Sequence, residues 1–270
     1  MALRSIPAGR PNRKPFIGFG DPYFNNKQLV QAANEKQNQP MMLASRGFQD
    51  IKLRGVRFTE VGDLDKEETV SATIGMLNRL PDTSEELKSI AKMLKADLDQ
   101  DIFLGKDASE SIVKNMDIAD RKVVVFATHA LIPGDLDGLS QPALALSAPE
   151  VTGGKEDGLL TVDEVLNLKL DADWVVLSAC NTGAAEGAGA EAVSGLGRAF
   201  FYAGTRSLLV SMWPVETTAA RKLTTGIFEQ RADNQKQSKA LALQSSILNL
   251  IDSPGLVDVN SGSVVASYAH

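Results

Sequence analysis

The stretch that most constrains the fold is Trp174–Leu177, Trp-Val-Val-Leu, which runs into Ser-Ala-Cys-Asn-Thr-Gly. Four consecutive apolar, β-favouring residues are too few for a helix and show no polar alternation, so they predict a strand buried on both faces. Asn181, Thr182 and Gly183 are turn formers that stop it. Cys180 then stands at the carboxyl edge of a parallel sheet, where open α/β sheets build their sites. One other long strand has this character, Lys122–Thr128, and it is followed at once by His129. An imidazole therefore takes the equivalent place on a second strand, 51 residues before the cysteine.

The rest of the chain alternates short strands with helices. Residues 1–15, with three Arg, one Lys and three Pro, read as a linker, and Phe16–Phe19 is a short strand closed by the Gly20-Asp21-Pro22 turn. Residues 25–50, rich in Asn and Gln, suggest a surface insertion, and Lys52–Phe58 a strand. Ser84–Lys95 and Asp107–Met116 carry apolar residues at helical spacing on either side of an Ile102–Leu104 strand. After a Gly/Pro/Asp loop, Leu131–Ser140, come a strand at Ala143–Leu146 and a helix opened by Thr161 with Glu164 in capping-box spacing. Beyond the cysteine strand and the loop Gly183–Gly189 follow a helix over about 190–202, a buried strand at Arg206–Trp213 stopped by Pro214, helices at Thr217–Gln230 and Gln237–Leu250, and a loop-like tail. No 20–50-residue repeat interrupts this order, so the prediction is an α/β domain with a mainly parallel sheet.

Composition narrows the function. A formal net charge of −6 argues against a nucleic-acid binder that relies on a basic surface. One cysteine cannot form a disulfide within the chain, which points to a reducing compartment. The N-terminus lacks a signal-peptide apolar core and no long apolar run occurs, so a cytoplasmic protein with no membrane partner is expected.

Each candidate group has a plainer reading. A lone Cys is commonly a small buried hydrophobe, and a strand-end His a structural hydrogen-bonding residue. The pair is more informative, because a thiol needs a base or cation beside it to ionise near neutral pH and histidine can be both. A closed zinc site is not expected: the only other His is the C-terminal His270. Gly187–Ala192 formally fits G-x-G-x-x-G/A, but the strand ends several residues earlier and the nearest suitable acid, Glu216, is 29 residues after Gly187, so dinucleotide binding is not supported. Neither a phosphate loop nor a G-x-S-x-G elbow is present, and Asp135 and Asp137 read as solvated turn residues. No cofactor and no metal is expected.

The segments Val125-Phe126-Ala127-Thr128-His129, Asp157-Gly158-Leu159-Leu160-Thr161, Val176–Gly183 and Ser211-Met212-Trp213-Pro214-Val215, with Gly20-Asp21-Pro22, Leu80-Pro81 and Gly195–Phe200, resemble the CHAT domain, a caspase-like cysteine peptidase family of the caspase–separase clan. The His-to-Cys spacing is also that of caspase nucleophiles, although the local caspase signature around the Cys is absent. The resemblance runs from about residue 16 to the end. It implies a caspase-like three-layer sandwich, a mostly parallel central sheet flanked by helices, over 16–270. It also implies Cys180 as nucleophile, His129 as its partner, and an oxyanion hole from the amides of Cys180 and Ala130. The family usually has Gly after the His. Ala130 keeps the N–H while bringing a methyl group near the scissile carbonyl and restricting the backbone. The family's segment before the Gly-Asp-Pro strand and its closing strand after a His in the position of His270 are lacking, so the domain is expected to be incomplete at both ends.

The expected activity is that of a cysteine endopeptidase in a bacterial-type signalling or conflict system, acting on a protein or peptide substrate. A protein partner, or the missing segments, is expected to complete the domain. Glu216, or else Asp157 or Glu186, would receive an Arg or Lys before the scissile bond. Glu216 has a plain alternative at the N-terminus of the helix that follows. Two other functions compete: a non-catalytic caspase-like interaction module, and an unrelated α/β enzyme using Cys180 in transferase or amidase chemistry.

Overall fold

A computed structural model of the chain describes residues 9–37, 53–54, 73–178, 188–211, 215–234, 237–253, 256–257 and 264–266. In chain order the elements are β1 (Lys14–Gly20), α1 (Asn26–Gln37), β2 (Leu53–Arg54), α2 (Asp82–Met93), β3 (Ile102–Leu104), α3 (Glu110–Asn115), β4 (Arg121–Ala127), β5 (Ala130–Leu131) and β6 (Ala143–Ala145). Then come α4 (Pro149–Thr152), β7 (Leu159–Thr161), α5 (Val162–Asn167), β8 (Trp174–Leu177), α6 (Ala188–Tyr202), β9 (Leu208–Val210), β10 (Val215–Glu216), α7 (Thr217–Asp233), α8 (Lys239–Ile251), β11 (Leu256–Val257) and β12 (Val264–Ala266).

Five strands form the central sheet in the order β3-β1-β4-β8-β9, and every neighbouring pair is parallel. Because successive residues of a strand face opposite sides, the apolar runs feed two cores. Ile17, Phe19, Val124, Phe126, Val175 and Leu177 meet Leu196, Ala199 and Phe200 of α6 on one face. Phe16, Val123, Val125, Trp174 and Val176 meet Leu87, Ile90 and Ala91 of α2, Ile227 and Phe228 of α7, and Ala242 of α8 on the other. This is the predicted three-layer arrangement.

Two glycines set how closely α2 lies on β1. A Cβ at Gly18 or at Gly20 would stand 2.7 Å from a Leu87 methyl group, nearer than carbon atoms tolerate. On the opposite face Phe103, Phe19 and Phe126 stack at 5.3 Å steps and Phe200 closes the row at 5.7 Å.

Several expectations need correction. The Ala143–Leu146 segment does not join the parallel sheet: β6 is the middle of a small antiparallel sheet, β5-β6-β7. β7 was not expected at all. The anticipated capping box at Thr161 and Glu164 is present and turns β7 straight into α5. Of the expected 206–213 strand, β9 covers Leu208–Val210 and is half-buried because it lies last in the sheet order, and residues 212–213 lie outside the described residues. In the tail, β11 and β12 pair antiparallel. Within the 25–50 stretch the described part is α1, which is more than surface decoration, since Gln28 and Ala32 are buried. Of the 52–58 strand, Leu53–Arg54 is described and pairs antiparallel with β10. The Arg-rich segment before β1 is tied down: Arg10 and the buried Arg13 pair with Asp171, and Arg13 also with Asp173 at 2.9 Å.

Candidate active site

β4 and β8 are neighbours with the register Val123↔Trp174, Val124↔Val175, Val125↔Val176 and Phe126↔Leu177. The offset is 51 at every step. One step further, the Ser178 N–H donates to the Phe126 carbonyl at 2.9 Å. Residues 179–187 lie outside the described residues, and Cys180 and Glu186 are among them.

His129 follows β4 after Thr128 and is 2% exposed. The antiparallel sheet fixes its backbone, for the Ala145 N–H donates to the His129 carbonyl at 2.9 Å and the Thr128 hydroxyl donates to the Ala145 carbonyl. Its ring lies against Phe24, with centroids 5.7 Å apart and planes at 44°. Nε2 is 2.8 Å from the backbone carbonyl oxygen of Asn78. A carbonyl only accepts, so Nε2 carries the proton and in the neutral imidazole Nδ1 carries the lone pair.

Ala130 sits opposite Leu144. Since the His129–Ala145 pair is hydrogen-bonded and antiparallel pairs alternate, Ala130 occupies a position that is not, and its N–H points away from β6. Its side chain is 2% exposed and packed in the core with Leu144 and Leu160, and its φ is not positive. The Ala130 methyl group is thus part of that core, and its Cβ carries no positive-φ cost there.

Asp157 is exposed and its Oδ1 accepts the Leu159 N–H at 2.8 Å, a turn closing onto β7 at the His129 end of the small sheet. Glu216 is in β10, opposite Leu53 and immediately before α7.

Two features escaped the sequence reading. The loop carrying Asn78 crosses to His129 and is held at both sides. The Gln28 side chain donates to the Leu77 carbonyl at 2.7 Å, and Arg79 grips Asp21 through two hydrogen bonds, 3.0 and 2.7 Å, while also bonding Glu35 at 3.0 Å. Only the Leu80-Pro81 motif next to it signalled that this segment mattered. The second is a group of carboxylates, Glu110, Glu156 and Glu164, gathered about Lys114 Nζ at 3.0, 2.8 and 3.1 Å. Their oxygens are close enough to hold a cation, and the ammonium occupies that place. Burial, first of all, pushes the Glu110 carboxyl up to about 8.

A family model, the CHAT domain, matches residues 2–259. The chain belongs to the CHAT domain family. The match includes the N-terminal arginines that pair with Asp171 and Asp173. No curated protein matches the chain. Among the described residues no helix is long and apolar enough to cross a membrane. The caspase-like sandwich of this CHAT domain brings the strand ends leading to its His and its Cys next to each other on one sheet edge.

Proposed function

We propose that the chain is a cysteine endopeptidase in which Cys180 is the nucleophile and His129 its general base and acid. The observation that carries this reading is the β4–β8 register: its offset of 51 equals the separation of His129 and Cys180 in the sequence, so each follows the end of one of two adjacent parallel strands at the same number of residues. Parallel neighbours are about 4.8 Å apart, which suits a thiol and an imidazole that must exchange a proton.

The Nε2–Asn78 bond turns the Nδ1 lone pair to that duty. The thiol proton passes to the imidazole and the thiolate sulfur bonds to the substrate carbonyl carbon. The amide N–H groups of Cys180 and Ala130 hold the oxyanion, and for Ala130 this is supported by an N–H that its β-ladder leaves aside. Collapse of the tetrahedral species breaks the C–N bond, the leaving amine taking the imidazolium proton. Water, deprotonated by His129, then cleaves the thioester to a carboxylic acid and the free thiol.

The substrate reading is cleavage after Arg or Lys in a bacterial-type signalling or conflict system, with Glu216 beside the substrate cation. Asp157 is a weaker selector because its carboxylate already serves the turn before β7. Fluorogenic peptides ending in Arg, Lys, Asp and Leu, presented to the wild type and to Glu216→Gln, test this. The expected result is turnover of Arg and Lys peptides alone, reduced at least about tenfold in Glu216→Gln, since an unpaired buried charge costs over 1.4 kcal/mol. Preference for Asp or Leu would overturn the basic specificity, and an unaltered Arg preference in Glu216→Gln would overturn the role of Glu216. No turnover, with a Cys180 thiol no more reactive than a free one, would favour the non-catalytic binding module.

A further inference from the structure

We infer that the Arg79–Asp21 ion pair is a positioning device for His129, holding the Asn78 carbonyl so that it fixes the imidazole tautomer. The inference rests on the dyad reading above. Asn78 and Arg79 are adjacent, so whatever anchors the guanidinium anchors the peptide that receives the Nε2 proton. The anchor is built on the sheet. Gly20 pairs with Ala127 in β4, which puts Asp21 at the same strand-end level as Thr128, one residue from His129.

Asp21 is held there at a conformational cost. Its φ is +44°, in the left-handed region, and it precedes a proline. Such backbone persists where its surroundings overdetermine it, and at functional sites more than elsewhere. Here they do: the Asp21 N–H donates to Thr83 Oγ1 at 2.8 Å, its carbonyl accepts the Gly105 N–H at 3.1 Å, and both carboxylate oxygens take the fork of Arg79. Asp21 and Arg79 side chains are 6% and 10% exposed, and the guanidinium also lies 4.9 Å above the Tyr23 ring. Asp21 and Glu35 thus take N–H groups at the edges of the cation and Tyr23 covers one face, which suits a clamp rather than a group that binds substrate. A planar fork on a carboxylate fixes orientation as a lysine ammonium would not.

The single cysteine makes the test direct, because iodoacetamide alkylation of the full chain reports Cys180 and no other thiol. Rates are measured across about pH 5–9, spanning the ordinary His and Cys ranges, for wild type, Arg79→Met, Arg79→Lys, His129→Ala and the double variant Arg79→Met/His129→Ala. The expected result is that Arg79→Met slows alkylation near pH 6 at least about tenfold, within the effect that a positioned base supplies. Arg79→Lys falls between it and wild type. In the His129→Ala background Arg79→Met has no further effect, within about twofold, since the group acts through His129. Alkylation of Arg79→Met at the wild-type rate, or equal slowing in both backgrounds, would overturn the inference. If Arg79→Met does not fold, Arg79→Lys takes its place in both backgrounds, and unfolding of that variant too would mark the pair as a general structural clamp and overturn the inference. The dyad reading fails separately, if wild type alkylates no faster than His129→Ala.

Discussion

His129 at the sequence level is a histidine at a strand end, with few core contacts to lose. In the fold it is 2% exposed, bonded to Asn78 and laid on Phe24. Replacing it with Ala is therefore expected to remove the proton acceptor and to destabilise the domain as well. Loss of a buried hydrogen bond that strands a carbonyl costs about 1–3 kcal/mol. A calorimetric melt of His129→Ala unchanged from wild type would show that these contacts carry nothing. His129 and Cys180 stand out in the sequence as candidates because His and Cys are rare here and each follows an unbroken apolar run. The Asn78 carbonyl was not, because every residue offers the same backbone acceptor and only the path of the chain selects one. Ala130 illustrates the same limit: its burial and the direction of its N–H depend on pairing with β6, which no local pattern shows.

Among elements, those with a marked apolar run or periodicity were legible, whereas the weakly apolar α1 was not. β1, β4, β8, α2 and α6–α8 carry continuous apolar runs or helical periodicity that tertiary contacts only reinforce. β5, β6 and β7 are two or three residues each, too short to display a period of two, and whether they pair parallel or antiparallel has no local signature. The tail pair β11–β12 was missed for the same reason. This small sheet is tied to the carboxylate group, since Glu110 Oε2 accepts the N–H of Gly158, which leads into β7, at 3.0 Å. Folded Glu110 keeps its proton to about 8, against an ordinary value of 4.5. Folding therefore takes up a proton between those values, and this residue's contribution to stability is complete below about 4.5 and lost as pH rises through about 8. Lys114 faces it as the compensating cation, while Glu164 and Glu156, both held below the usual carboxylate range, are the anions that share it. Glu110→Gln is expected to flatten the fall in melting temperature from pH 5 to 8, a window set by that shift. A slope as steep as that of wild type would place the linkage elsewhere.

At the scale of the whole molecule, the order of strands and helices in the sequence was enough for the sandwich. Strand order in the sheet, β3-β1-β4-β8-β9, emerges only in the fold, where it makes β4 and β8 neighbours. That adjacency turns two separate strand-end residues into one candidate catalytic centre. It also sets the two strands that lead to these residues inside the sheet, buried on both faces by α2 and α7 on one side and α6 on the other. Arg10 and Arg13 close the opposite end of the sheet against Asp171 and Asp173, in a segment whose Pro and Arg content reads locally as linker. The partner charges are some 160 residues away, beyond any local pattern. The central claim is that Cys180 and His129 cleave peptide bonds together, and digestion of a peptide library by wild type, Cys180→Ala and His129→Ala, with products identified by mass spectrometry, tests it most directly. The account predicts a defined set of products from wild type that is absent with Cys180→Ala and reduced at least about a hundredfold with His129→Ala, the scale of a positioned base; the same products at undiminished rate from either variant, or none from wild type, would contradict it.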